Sequence, residues 1–121
     1  MLRRSLASSV RVAMARTHRM TLADWRRRID EIDSKLVELL NARSRCALEI
    51  GKLKQAANLP LYQPDREKEV LQNAERSNPG PLSNAAIRRL FERIIDEARA
   101  AERDAMHKDS KQKDGDKDRN S

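Results

Sequence analysis

Residues 22–57 read LADWRRRIDEIDSKLVELLNARSRCALEIGKLKQAA, and their spacing decides the fold. Apolar side chains recur at Leu22, Trp25, Ile29, Ile32, Leu36 and Leu39, then at Cys46, Ile50 and Leu53. Steps of three and four residues make a heptad-like stripe on an α-helix, with Thr21 placed to cap its first turn. No proline intervenes before Pro60, and Gly51 is the only glycine. A helix over 22–57 is about 54 Å long at a rise of about 1.5 Å per residue. A compact domain of about 85 residues has a radius of gyration near 12 Å. A rod of that length cannot be buried inside so small a globule, so its stripe must be covered by another chain. The sequence predicts an intertwined helical homodimer.

Working outward, Asn58-Leu59-Pro60 ends the first helix, because proline disfavours helix in the residue before it. Pro64 fits the first turn of a second helix over about 64–77, with Asp65 and Glu67 near its positive end and Val70, Leu71 and Ala74 facing inward. Ser77-Asn78-Pro79-Gly80-Pro81 is a break. Ser83 then caps a third helix with the stripe Ile87, Leu90, Phe91, Ile94, Ile95 and Ala98. The fold class is all-α, with three helices per chain and a long first one.

Composition agrees. Of 121 residues, 38% are apolar, 37% charged and only 2% aromatic, which serves strands poorly. The length allows one small domain. No apolar run approaches the roughly 18 residues of a membrane span. Cys46, the single cysteine, cannot form an internal disulfide, and no zinc-ligand spacing or glycine-rich phosphate loop is present. The net charge of +7 suggests nucleic acid until it is divided along the chain. Residues 1–19 carry five arginines and no acid, residues 20–103 carry 16 basic and 14 acidic side chains, and residues 104–121 carry five of each. A phosphate-binding groove would need the surplus on the folded part, so no nucleic-acid partner is expected.

The Arg- and Ser-rich leader, residues 1–19, resembles a transit peptide; it also reads as a signal peptide ending at Ala13-Met14-Ala15, which Arg11 interrupts. The reading adopted starts the working protein at Met20, leaves the leader without structure and places the protein in the cytoplasm. Residues 20–106 form the domain, and residues 107–121 read as a disordered, solvated charged tail.

Charges on the apolar faces are the anomalies. Arg43 occupies the stripe position between Leu39 and Cys46, where a guanidinium is costly unless an anion meets it, an internal ion pair forms or its stem snorkels outward. Glu102 repeats the problem four residues after Ala98, and Lys54 and Arg26 flank the first stripe. Along one helix Arg43 and Lys54 are about 16 Å apart, within joint reach of a small dianion. Arg26 and Arg43 are about 25 Å apart, so sharing one small ligand would require Arg26 from a partner chain.

The run from Leu22 to Lys54, with Arg26, IDEID at 29–33, LVELL at 36–40, Arg43 and EIGKLK at 49–54, resembles the all-helical chorismate mutases of AroQ type. YQPDREKEVL at 62–71, NPGPLS at 78–83 and LFERII at 90–95 extend the resemblance to about residue 103. It implies a homodimer that shares its long first helices between two active sites and converts chorismate to prephenate without metal or cofactor. It also implies that Arg43 and the partner's Arg26 bind carboxylates, that Lys54 donates to the ether oxygen, and that Arg66 and Glu67 meet the substrate, with Glu67 accepting from its ring hydroxyl. Arg43, Lys54 and Glu102 would be catalytic.

Three positions depart from the best-known bacterial pattern. Gln63 stands where aspartate is common, Ala98 where a serine can touch a carboxylate, and Glu102 where a glutamine often meets the ether oxygen. A carboxylate at Glu102 would repel a dianion, whereas its protonated form can donate, so activity is expected to fall as pH rises. Two alternatives carry the same charges: an isochorismate pyruvate lyase of this fold, and a non-catalytic helical adaptor or regulatory subunit. Docking onto another enzyme of aromatic biosynthesis is left open.

Overall fold

The computed structural model describes residues 19–119, which hold three α-helices: α1 Leu22–Ala56, α2 Pro64–Arg76 and α3 Asn84–Arg119. The leader lies outside the described residues except for Arg19. None of these helices is long and apolar enough to cross a membrane.

The helix boundaries follow from local chemistry. At the start of α1 the Asp24 amide donates to Thr21 Oγ1 at 3.2 Å, while the Thr21 amide donates to Asp24 Oδ2 at 2.9 Å. This reciprocal capping box satisfies two donors that the first turn leaves over. At the other end Asn58 adopts φ 55°, and the amides of Leu59 and Asn58 donate to the carbonyls of Lys54 and Gln55 at 2.8 and 3.2 Å. That is a Schellman motif with asparagine in the left-handed position, two residues before Pro60 stops the chain. Pro64 opens α2 after an extended Gln63. Between α2 and α3 the Asn78 side chain bonds the Gly80 amide, the Leu82 carbonyl and Asn84. Ser83 Oγ then accepts from the Ala86 amide at 3.1 Å and caps α3 as expected.

The chain divides into two compact units at Leu39. In the first, the opening half of α1, the apolar stripe is exposed from Leu22, at 66%, to Leu39, at 67%. In the second, from Leu40 onward, α2 packs against α3 and buries Leu71 and Ile95. Burying each of these side chains contributes about 1.5–3 kcal/mol. Ion pairs from Arg88 to Glu75, at 3.4 Å, and from Arg99 to Glu67, at 3.3 Å, also join α2 to α3.

Helix α3 differs from the expected ending. It runs past Met106 to Arg119, so helical hydrogen bonding enters the segment that composition marks as a solvated tail. The segment has no proline, and Gly115 is its only strong helix breaker, so nothing in it forces an earlier stop.

Candidate active site

Within the second unit, the later half of α1, the loop before α2, α2 itself and α3 enclose a cavity of about 420 Å³. Arg43 and Lys54 reach it from α1, Gln63 from the loop, Arg66 and Glu67 from α2, and Ala98 and Glu102 from α3. The spacing explains the convergence. Arg43, Ala47, Ile50 and Lys54 follow steps of four, three and four along one face of α1. Ile95, Ala98 and Glu102 do the same on α3. Seven of the eight residues singled out from sequence therefore line one cavity. The eighth, Arg26, lies exposed on the first half of α1 and is not among its lining residues. Cys46 and Ala47 contribute small wall surfaces.

The cations are held differently. Lys54 Nζ donates to the Leu61 carbonyl at 3.2 Å, which orients the ammonium and ties down the loop preceding α2. Arg66 Nη1 meets Glu69 Oε1 at 2.9 Å in an exposed i,i+3 pair that costs little to exchange for a ligand. Arg43 is half-buried on the wall.

Glu102 is the anomalous acid. It is only 7% exposed, and its Oε2 is buried without a hydrogen-bond partner. Desolvation raises its pKa above the usual carboxylate value, and the positive charge of Lys54 opposes that rise. Gly51, also buried, makes the close approach possible: a Cβ there would stand 3.3 Å from Glu102 Cγ. Glu102 also borders a second cavity of about 420 Å³ on the Gly51 side.

One charged lining residue was missed from sequence. Arg99 follows Ala98 and completes an i, i+3, i+4, i+7 set with Ile95 and Glu102, the signal that could have found it. Its Nη2 donates to Asp96 Oδ1 at 2.7 Å and forms an ion pair with Glu67 Oε1 at 3.3 Å, and its guanidinium lies 5.3 Å from the Tyr62 ring centroid. Among the described residues no cluster of three or more His, Cys, Asp and Glu could hold a metal ion.

Four cations and two acids thus meet in an apolar-walled cavity with no nucleophile paired to a base among its lining residues. Such a site is built to hold a small anion and to stabilise charge that shifts within it. The sequence profile of the family described as chorismate mutase type II matches residues 25–103. The chain belongs to the chorismate mutase type II family.

Similar proteins agree with this membership. A bifunctional chorismate mutase/prephenate dehydratase of Pseudomonas aeruginosa is 39% identical over 82 residues, covering 64% of this chain and 22% of that protein. A chorismate mutase of Methanocaldococcus jannaschii is 37% identical over 49 residues, 40% of this chain and 50% of that one. A solved chorismate mutase from Thermus thermophilus superposes with a TM-score of 0.67 at 34% identity, covering 68% of this chain and 93% of the other. The chain spans less than a quarter of the length of four bifunctional relatives it matches, at 22–24%.

Proposed function

We propose that this chain is a chorismate mutase, converting chorismate to prephenate in the cytoplasm, in a homodimer whose active site is completed by Arg26 of the partner chain. The observation that carries the reading is the convergence of Arg43, Lys54, Arg66, Glu67 and Glu102 on one cavity of about 420 Å³. The exposed stripe on the first half of α1 supports the dimer, because a second copy of the same helix would cover it.

The rearrangement is pericyclic: the ether C–O bond breaks as a new C–C bond forms, so the protein supplies no nucleophile. Its work is to hold the flexible dianion compactly and to meet the charge that grows on the ether oxygen. Arg43 and Arg26 suit the two carboxylates through their planar forks. Lys54, whose ammonium the Leu61 carbonyl orients, is the donor to the ether oxygen in this reading. Glu102 can add a second hydrogen bond there while it keeps its proton, which burial favours. Glu67 accepts from the ring hydroxyl.

The test is to incubate the full chain with chorismate and, separately, with isochorismate, identify the products by chromatography, and repeat with Arg43→Ala. Prephenate from chorismate, lost in the variant, is the expected result. Pyruvate and salicylate from isochorismate with little prephenate would reassign the chain as the lyase. Turnover of neither substrate would favour the adaptor.

A further inference from the structure

Among the four cations lining the cavity, Arg99 is the one that the sequence reading did not set against the substrate. We propose that Arg99 is a positioning residue for Glu67, a guanidinium anchored on Asp96 and Tyr62 that fixes the carboxylate facing the substrate's ring hydroxyl. The proposal rests on the reading of Glu67 given under Proposed function.

Its geometry separates it from a surface ion pair. Among the described residues, most ion pairs join positions three or four apart on one helix, as Arg66–Glu69 and Arg93–Glu97 do. The Arg99–Glu67 pair instead crosses from α3 to α2, and both members line the cavity. The other pair bridging these helices, Arg88–Glu75, involves none of its lining residues. Their side chains are also better covered, at 32% and 23% exposed against 48% and 29% for Arg88 and Glu75.

Arg99 is itself held on two sides, by Asp96 at 2.7 Å and by the Tyr62 ring. A planar guanidinium fixed this way presents its remaining hydrogens in one direction, which a flexible ammonium would not. It stands as an ion pair 3.3 Å from Oε1 of Glu67, which leaves Oε2 to accept from a hydroxyl donor at the same time. A glutamate side chain loses considerable rotamer freedom when it binds a ligand; one already pinned loses less. The arrangement carries a cost, since Arg99 Nε is buried with no hydrogen-bond partner. A buried donor left unpaired needs an explanation, and holding the fork toward Glu67 supplies one.

A double-mutant cycle on the full chain separates positioning from simple bracing of α3 against α2. Steady-state kcat and KM for chorismate are measured for wild type, Arg99→Met, Glu67→Gln and the double variant, with Asp96→Asn as a milder way to loosen the anchor. Arg99→Met is expected to lower kcat/KM about tenfold, within the usual range for directly coupled residues. The double variant should be no slower than Glu67→Gln, and Asp96→Asn should show a smaller loss of the same kind. Arg99→Lys should recover only part of the loss. Losses that multiply in the double variant, or an Arg99→Met rate equal to wild type, would overturn the proposal. If Arg99→Met does not fold, the cycle is run with Asp96→Asn in its place and judged by the same two criteria. Wild-type chain inactive on chorismate would instead remove the underlying reading of Glu67.

Discussion

Leu22 and Leu39, on the opening half of α1, leave about two-thirds of their surface exposed, at 66% and 67%, whereas Leu71 and Ile95, on α2 and α3, expose 8% and 7%. The first region has the more regular apolar pattern and the less covered one. The second has the less regular pattern, interrupted by Arg43, Glu102 and Arg99, and it encloses the cavity. A stripe without polar interruptions is a surface for another chain; a stripe with charges set into it is a surface for a ligand. On the reading proposed above, the first region serves assembly and lends Arg26 to the partner's site, while the second holds the rest of the chemistry.

The largest test of that division falls on the cavity. Arg43→Ala should remove about 3–4 kcal/mol of transition-state stabilisation, a hundredfold to thousandfold fall in kcat/KM, with the oligomer intact by sedimentation. Activity that survives this change would break the assignment of chemistry to the second region. On the stripe, Leu36→Ala or Leu39→Ala should cost about 1.5–3 kcal/mol of association and raise the dimer dissociation constant. Activity should be regained at high protein concentration. A variant that sediments as wild type at every concentration would show that the stripe is not an interface.

A smaller effect is expected where the cavity wall is tightest. Gly51→Ala puts a methyl 3.3 Å from Glu102 Cγ, and overpacking of this kind costs about 1–3 kcal/mol of stability, read as a lower denaturation midpoint. An unchanged midpoint would mean that Glu102 gives way freely and is not held by its surroundings.

The subtlest effect is a slope. Because burial raises the Glu102 pKa, the folded state holds that proton more tightly than the unfolded chain does. The stability this lends is present at low pH and is lost as pH rises through the folded-state value. Wild-type kcat/KM should fall from about pH 5 to about pH 8, and Glu102→Gln should flatten both that profile and the matching stability curve. A wild-type rate independent of pH over this range would remove the donor role of Glu102.

Much of the molecule was legible beforehand because its signals are local. The Thr21 cap, the stop before Pro60, Pro64 at the head of α2 and the Ser83 cap each act within a turn of their own position. Arg43 and Glu102 stood out because each breaks an apolar period. Arg99 did not, since it reads as one more arginine beside other charges, among 26 Lys and Arg in the chain. Its position on the same face as Ile95 and Glu102 was readable, but its ion pair with Glu67 and its place over Tyr62 were not. The continuation of α3 to Arg119 was also hidden, because composition reports how readily a segment is solvated and not whether its backbone bonds internally.

By itself, the sequence determined three helices, every helix end except the last, the apolar stripe along α1 and the charges that interrupt apolar faces. Periodicity, caps and prolines act over a few residues, so one chain of letters contains them. Tertiary structure decided that α1, the loop before α2, α2 and α3 bring six charged and polar positions, together with Ala98, to one cavity, that Gly51 makes room for Glu102, and that Arg99 belongs to the same wall. Those are distances between residues far apart in sequence, set by how the helices pack.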